Sequence, residues 1–220
     1  MGLHGWAAAG FAVAGALAGV VLRARLAGLG YRRPEEHGMP RRRIGWVVPV
    51  TAAASALLAG RLAASWPGPV VLTGVGLCWL LVMLAAIDRD VHRLPDALTL
   101  PAYPVAMVAL AGCAWSVGDW APFLRALLAG PALAVTFATL AQLGPGGPGF
   151  GLGDVKLAGV LGLVLGWFGW GHVLLGGYAS VLTGGLYAGW LMLRRRLDHR
   201  GQVAFGPFLG LGAVLALTLG

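Results

Sequence analysis

Charge is what this sequence has least of. Of its 220 residues only 11% are Asp, Glu, Lys or Arg, and only 8 of them are acids. Soluble domains carry about 25% charged residues, so a free-standing aqueous domain is excluded. Cysteine is almost missing: Cys78 and Cys113 both fall in apolar runs, with no CxxC neighbour. That pattern excludes a disulfide framework or a thiolate zinc site and reads as two small buried residues. The apolar runs are continuous rather than alternating, which excludes an outer-membrane barrel. No basic segment precedes the first apolar run, so that run is expected to stay as a span and not to be removed as a signal peptide. No internal repeat is visible.

What the chain does have is apolar length. Hydrophobic residues make up 58% of it, with mean hydropathy +0.79. Spans of ~20 apolar residues recur along the whole chain, and they predict an all-α, polytopic membrane protein built as a single domain, 1–220. Eight spans are expected: Gly5–Leu22, Ile44–Ala64, Pro69–Ile87, Ala97–Val117, Trp120–Leu143, Val155–Trp170, Val173–Leu193 and Val203–Leu219. Pro131 is expected to kink the fifth. The net charge of +8 comes from arginines in the connections between spans, so it reports membrane orientation rather than nucleic-acid binding. The first connection, 23–43, is the longest hydrophilic one and reads as a flexible basic loop. Odd-numbered connections hold the positive charge, with Arg61 and Arg125 as strays on the other side. This places the odd connections in the cytoplasm.

Two of the few acids stand out against this background. Asp88 ends the third expected span within Asp88–Arg89–Asp90–Val91–His92, and Asp154 opens the sixth within Gly151–Leu152–Gly153–Asp154–Val155–Lys156. Two spans intervene, an even number, so both carboxylates emerge on the same face. An ionisable group beside a membrane span is costly and points to function. Two such groups in contact share one proton; one then activates water while the other donates to a carbonyl oxygen. Gly151 and Gly153 are expected to let backbone approach a substrate closely and to adopt positive φ. Asp96 reads as the cap of the fourth helix, Lys156 as a marker of the cytoplasmic boundary, and Asp90 and His92 as neighbours that tune Asp88 or as a solvated face. Asp88, Asp90 and His92 make a poor transition-metal set, so neither a metal nor another cofactor is expected.

These residues resemble a known family. The run Ile87 to Asp96 followed by Leu98–Thr99–Leu100–Pro101 is similar to the first aspartate motif of the type IV prepilin peptidases. Gly151–Leu152–Gly153–Asp154 is similar to their GxGD motif, and Phe205–Gly206–Pro207–Phe208–Leu209 to their C-terminal FGP segment. The resemblance covers 69–220. It implies an aspartic endopeptidase of the inner or plasma membrane, with its active site facing the cytoplasm. The expected substrates are prepilins or pseudopilins, cut at a short basic leader beside an apolar helix. It further implies Asp88 and Asp154 as the catalytic pair, with Gly151, Gly153, Asp90, Lys156, Gly206 and Pro207 in support. The cysteine motifs that larger members carry after their first span, and that go with N-methylation, have no counterpart in 23–43. The rival reading is a proton- or cation-coupled transporter using Asp88 and Asp154 as its relay.

Overall fold

A computed structural model describes residues 3–143, 151–194 and 204–220. Among these are eight α-helices, one short 3-10 turn at Pro34–Glu36, and no strand. The helices are α1 (Leu3–Ala27), α2 (Val47–Leu62), α3 (Gly68–Val91), α4 (Asp96–Val117), α5 (Ala121–Leu143), α6 (Leu152–Phe168), α7 (Trp170–Leu193) and α8 (Gly206–Leu219). Each expected span has its helix. Four are long and apolar enough to cross a bilayer by length and composition: Ala8–Ala27, Gly68–Val91, Asp96–Val117 and Ala121–Gln142. Helices α2 and α8 are apolar but short. The 14 residues of α8 reach only about 21 Å at the usual helical rise. The chain is an all-helical, polytopic membrane protein. The run 144–149, read as glycine-rich, and most of the last arginine cluster lie outside the described residues.

Consecutive helices pair as hairpins, α1 with α2, α5 with α6 and α7 with α8, while α3 runs between them and meets α1, α2, α4, α6 and α8. Small residues set these distances, as expected where lipid gives no hydrophobic drive for one helix to find another. A Cβ on Gly19 would come within 2.8 Å of the Val48 Cα, and one on Gly15 within 2.7 Å of the Ser55 Cβ. On the other hairpin, a Cβ on Gly162 would meet Ala129 and lie 2.8 Å from the Gly130 Cα, and one on Gly166 would lie 2.5 Å from the Ala129 Cβ. Gly185 and Gly189, at the same spacing in α7, have open space where a Cβ would go. Of the glycine pairs spaced four apart, those of α1 and α6 therefore make hairpin contacts and that of α7 does not. Helix α5 continues through Pro131 as one element. Helix α4 stops where Gly118 takes the left-handed conformation, φ 76°, which costs glycine nothing.

The two stray arginines have structural work. Arg125 donates to the carbonyls of Gly166 (2.7 Å) and Trp167 (2.6 Å) in the last turn of α6. Arg61 donates to the carbonyl of Thr218 (2.9 Å) near the end of α8. The last carbonyls of a helix have no partner of their own and sit at its negative pole. Both strays are thus tied to helix ends on their side of the bundle.

The glycine contacts separate by substitution. Gly162→Ala forces α5 and α6 apart and should cost about 1–3 kcal/mol of stability, read as a lower melting temperature in detergent. Gly185→Ala, with space for the methyl, should not lower it.

Candidate active site

Asp88 lies in the last turn of α3, which continues to Val91. The helix stops at His92, which adopts φ 51° and ψ 38°, and whose N–H donates to the Asp88 carbonyl at 2.8 Å. Asp154 is the third residue of α6. Its Oδ2 accepts the N–H of Gly151 at 3.0 Å, the reach-back contact of a carboxylate in the first helical turn. The Oδ2 of Asp88 accepts the N–H of Gly206 at 2.8 Å, across 118 residues of sequence. Both side chains are buried, Asp88 at 4% exposure and Asp154 at 8%, and the two carboxylates are within electrostatic reach of each other. The three sequence motifs therefore meet at one end of the bundle.

Glycine serves packing here. Gly151 has φ −71° and Gly153 lies inside α6, so neither takes the positive φ that was expected of them. A Cβ on Gly153 would come within 2.9 Å of the Leu94 Cβ, so this glycine lets α6 close onto the turn after α3. A Cβ on Gly206 would sit 2.9 Å from Asp88 Oδ2. The ring of Tyr103 on α4 leans over Gly159, and its O–H donates to the Lys156 carbonyl at 2.7 Å, fixing α4 against α6. Lys156 itself reaches Asp96 at 2.7 Å in an exposed pair. Asp96 is not the helix cap: Pro95 holds that position, and Asp96 is the first residue of α4. Pro207 follows Gly206 in the first turn of α8.

Asp90 faces away from this chemistry. Its carboxylate takes two hydrogen bonds from Arg32, both at 2.8 Å, and a third from the Tyr31 O–H at 2.7 Å. Arg32 continues to the carbonyls of Glu36 (3.2 Å) and Met39 (2.9 Å). Arg93 grips Glu36 with two bonds, at 2.7 and 2.8 Å, and also reaches the Tyr31 carbonyl at 2.9 Å. Residues 31–40 are therefore a folded clasp over the end of α3, correcting the expectation of a flexible connector. With Asp90 held by Arg32 and Tyr31, the Asp88/Asp90/His92 ligand set has lost a member. Among the described residues no three His, Cys, Asp or Glu side chains gather as a metal site.

Tyr31, Arg32, Glu36, Arg93 and Tyr103 were not foreseen. Arg32 and Arg93 were read only as members of basic clusters, and nothing in a cluster says which arginine turns inward. The Arg93 guanidinium holds Glu36 well below its ordinary range, at about 2, and burial beside Asp90 pushes the Tyr31 hydroxyl up to about 12.

Fold and site together define a helical membrane protein with two buried carboxylates at one end of the bundle. The chain belongs to the Type IV leader peptidase family, whose model matches residues 75–189. It is 36% identical to a prepilin leader peptidase/N-methyltransferase of Burkholderia pseudomallei over 177 residues, 78% of this chain and 54% of that one. A protein of the same description from Aeromonas hydrophila is 34% identical over 172 residues, 78% of this chain and 56% of the relative. One from Pseudomonas aeruginosa is 34% identical over 182 residues, covering 80% and 60%. The chain thus spans little more than half the length of the curated relatives it matches. No solved structure matches it.

Two substitutions test the clasp. Asp90→Asn strips a buried arginine of its carboxylate and should lower the melting temperature by several degrees, whereas Glu35→Gln, at an exposed neighbour, should not. Glu36 titrates from 4.5 in the open chain to about 2 in the fold. A depressed carboxylate stabilises in full above its open-chain value, and the effect is lost as pH falls through the folded one. Glu36→Gln should therefore melt below the parent at pH 7, and the gap should close as the pH is lowered from about 4.5 towards 2.

Proposed function

We propose that this protein is an aspartic endopeptidase of the inner or plasma membrane. On this reading it removes the short basic leader of type IV prepilins or pseudopilins at the cytoplasmic face, with Asp88 and Asp154 as the catalytic pair. The observation that carries the reading is the convergence of two buried carboxylates, each held by one backbone N–H through its Oδ2, in a member of the leader peptidase family. Cytoplasmic orientation rests on the arginines of the first connection, which lie at the same end of the bundle as the pair.

The chemistry needs one proton shared by two carboxylates. The ionised partner takes a proton from water as the water oxygen bonds to the scissile carbonyl carbon. The protonated partner gives its proton to the carbonyl oxygen. Collapse of that tetrahedral centre breaks the C–N bond, the proton first taken from water passes to the departing amine, and one hydroxyl proton returns to the carboxylate that had protonated the carbonyl oxygen. The backbone donors of Gly151 and Gly206 fix the orientation of both acids before substrate arrives, which lowers the cost of reaching the reactive geometry.

The substrate's apolar helix stays in the bilayer. A groove of about 510 Å³ between α3 and α4, floored by Val160 and Val164 of α6, offers it an apolar path along two of the helices that carry the pair. The methyltransferase half of the relatives' description is not carried over, since residues 28–46 between α1 and α2 contain no cysteine. A relay role in transport has no counterpart in those descriptions.

Asp88→Asn and Asp154→Asn should each reduce leader cleavage about 10²–10⁴-fold, with the protein still inserted and monodisperse in detergent. Gly206→Ala, which presses a methyl onto the Asp88 carboxylate, should lower cleavage while leaving Asp154 untouched. The assay is the loss of leader from a purified prepilin. Full activity of either Asn variant would overturn the assignment.

A further inference from the structure

A second feature is built at the same end of the bundle. A cleft of about 820 Å³ opens between residues 41–46, the ends of α3 and α7, and the start of α8, with Pro207 in its wall beside the Gly206 that holds Asp88. Arg41, Arg42, Arg43, Arg89 and His92 line it, and no carboxylate is among its described lining residues. Of the acids in and beside the loop, Asp90 is engaged by Arg32 and Glu36 by Arg93, while Glu35 is exposed and not among the residues lining the cleft. The clasp therefore delivers three consecutive arginines to the cleft and leaves them without an internal counter-ion among the described residues.

The remaining wall is of the opposite character. Trp46, Tyr187, Phe208 and Leu191 form an aromatic and aliphatic surface, with the Tyr187 and Phe208 rings 5.3 Å apart. Arg89 lies over the Trp46 ring at 5.6 Å, marking the seam between the two halves. Next to it the outer face of α7 is apolar and open, Leu186 at 66% and Trp190 at 45% exposure.

We propose that this cleft binds an anionic phospholipid, its phosphate on the arginines and its glycerol and first methylenes on the aromatic wall. Free phosphate would use the cationic half alone. An amphiphile matches both halves, and it matches their depth, where apolar helices end and tryptophan and tyrosine mark the membrane interface. Basic pockets between helix ends on the cytoplasmic side are the expected place for such headgroups. The proposal does not depend on proteolysis, and binding is read with no substrate present.

The experiment is native mass spectrometry of the purified full chain in detergent, titrated with phosphatidylglycerol or phosphatidylcholine. Saturable retention of phosphatidylglycerol over phosphatidylcholine is expected. Arg41→Gln/Arg42→Gln/Arg43→Gln should weaken it about tenfold or more. Arg41→Lys/Arg42→Lys/Arg43→Lys should stay within about threefold of the parent, because the charge remains. Arg23→Gln/Arg25→Gln, basic but outside the cleft, should bind like the parent. Equal retention of both lipids, parental affinity in the Gln triple, or equal weakening in the Lys triple would each overturn the proposal. Displacement of the lipid by inorganic phosphate at matched concentration would reduce the cleft to an anion site. Displacement by a glutamate-rich peptide at matched concentration would reassign it to a protein segment. Either result would overturn the lipid assignment.

Discussion

One hydrogen bond, from the Gly206 N–H to Asp88, fixes how the last helix meets the middle of the chain. It joins the start of α8 to the end of α3, and it leaves no space for a side chain at residue 206. A carboxylate buried beside a bilayer is expensive unless it is hydrogen-bonded, and here a backbone donor supplies that bond. Asp154 is held the same way by Gly151, and Gly153 lets Leu94 close the gap between the two turns. Helix packing elsewhere serves this meeting. Glycines draw α5 against α6, and arginines cap the far ends of α6 and α8.

The basic segment after α1 is part of the same construction. Arg32 is buried and fans out to one carboxylate and to backbone carbonyls several residues further along the chain, so the loop folds around its own arginine. Asp90 is the anchor on α3. The second aspartate of the motif thus orders the segment that leads into the Arg41–Arg43 cleft, while the first is bonded to the start of α8.

Much of this was legible in the residues. Apolar length gave the eight helices, and the even number of spans between Asp88 and Asp154 put both on one face. The resemblance of 205–209 to the FGP segment marked Gly206 as a supporting residue, and the structure bonds it to Asp88. What could not be read was the direction of side chains in the loops. Arginine at 32 and arginine at 33 look alike in sequence, yet one is buried and the other exposed. Arg61 and Arg125 looked like exceptions to a charge rule, because helix-end carbonyls that need a donor are invisible in sequence. Gly153 was read as facing a substrate because its neighbour Leu94, 59 positions away, has no local signal. Helix ends differ from the expected span ends by a few residues, with Asp88 in the last turn of α3 and Asp154 in the first turn of α6.

The pH dependence of leader cleavage bears most directly on the paired-aspartate chemistry. Two coupled carboxylates sharing a proton are active only in the singly protonated state, so kcat/KM must fall on both sides of an optimum, with limbs that belong to the pair. A bell-shaped profile for the purified enzyme, measured over a range where the fold is shown to persist, is the predicted result. A profile with a single limb, rising to a plateau as one group loses its proton, would contradict a shared-proton dyad at Asp88 and Asp154.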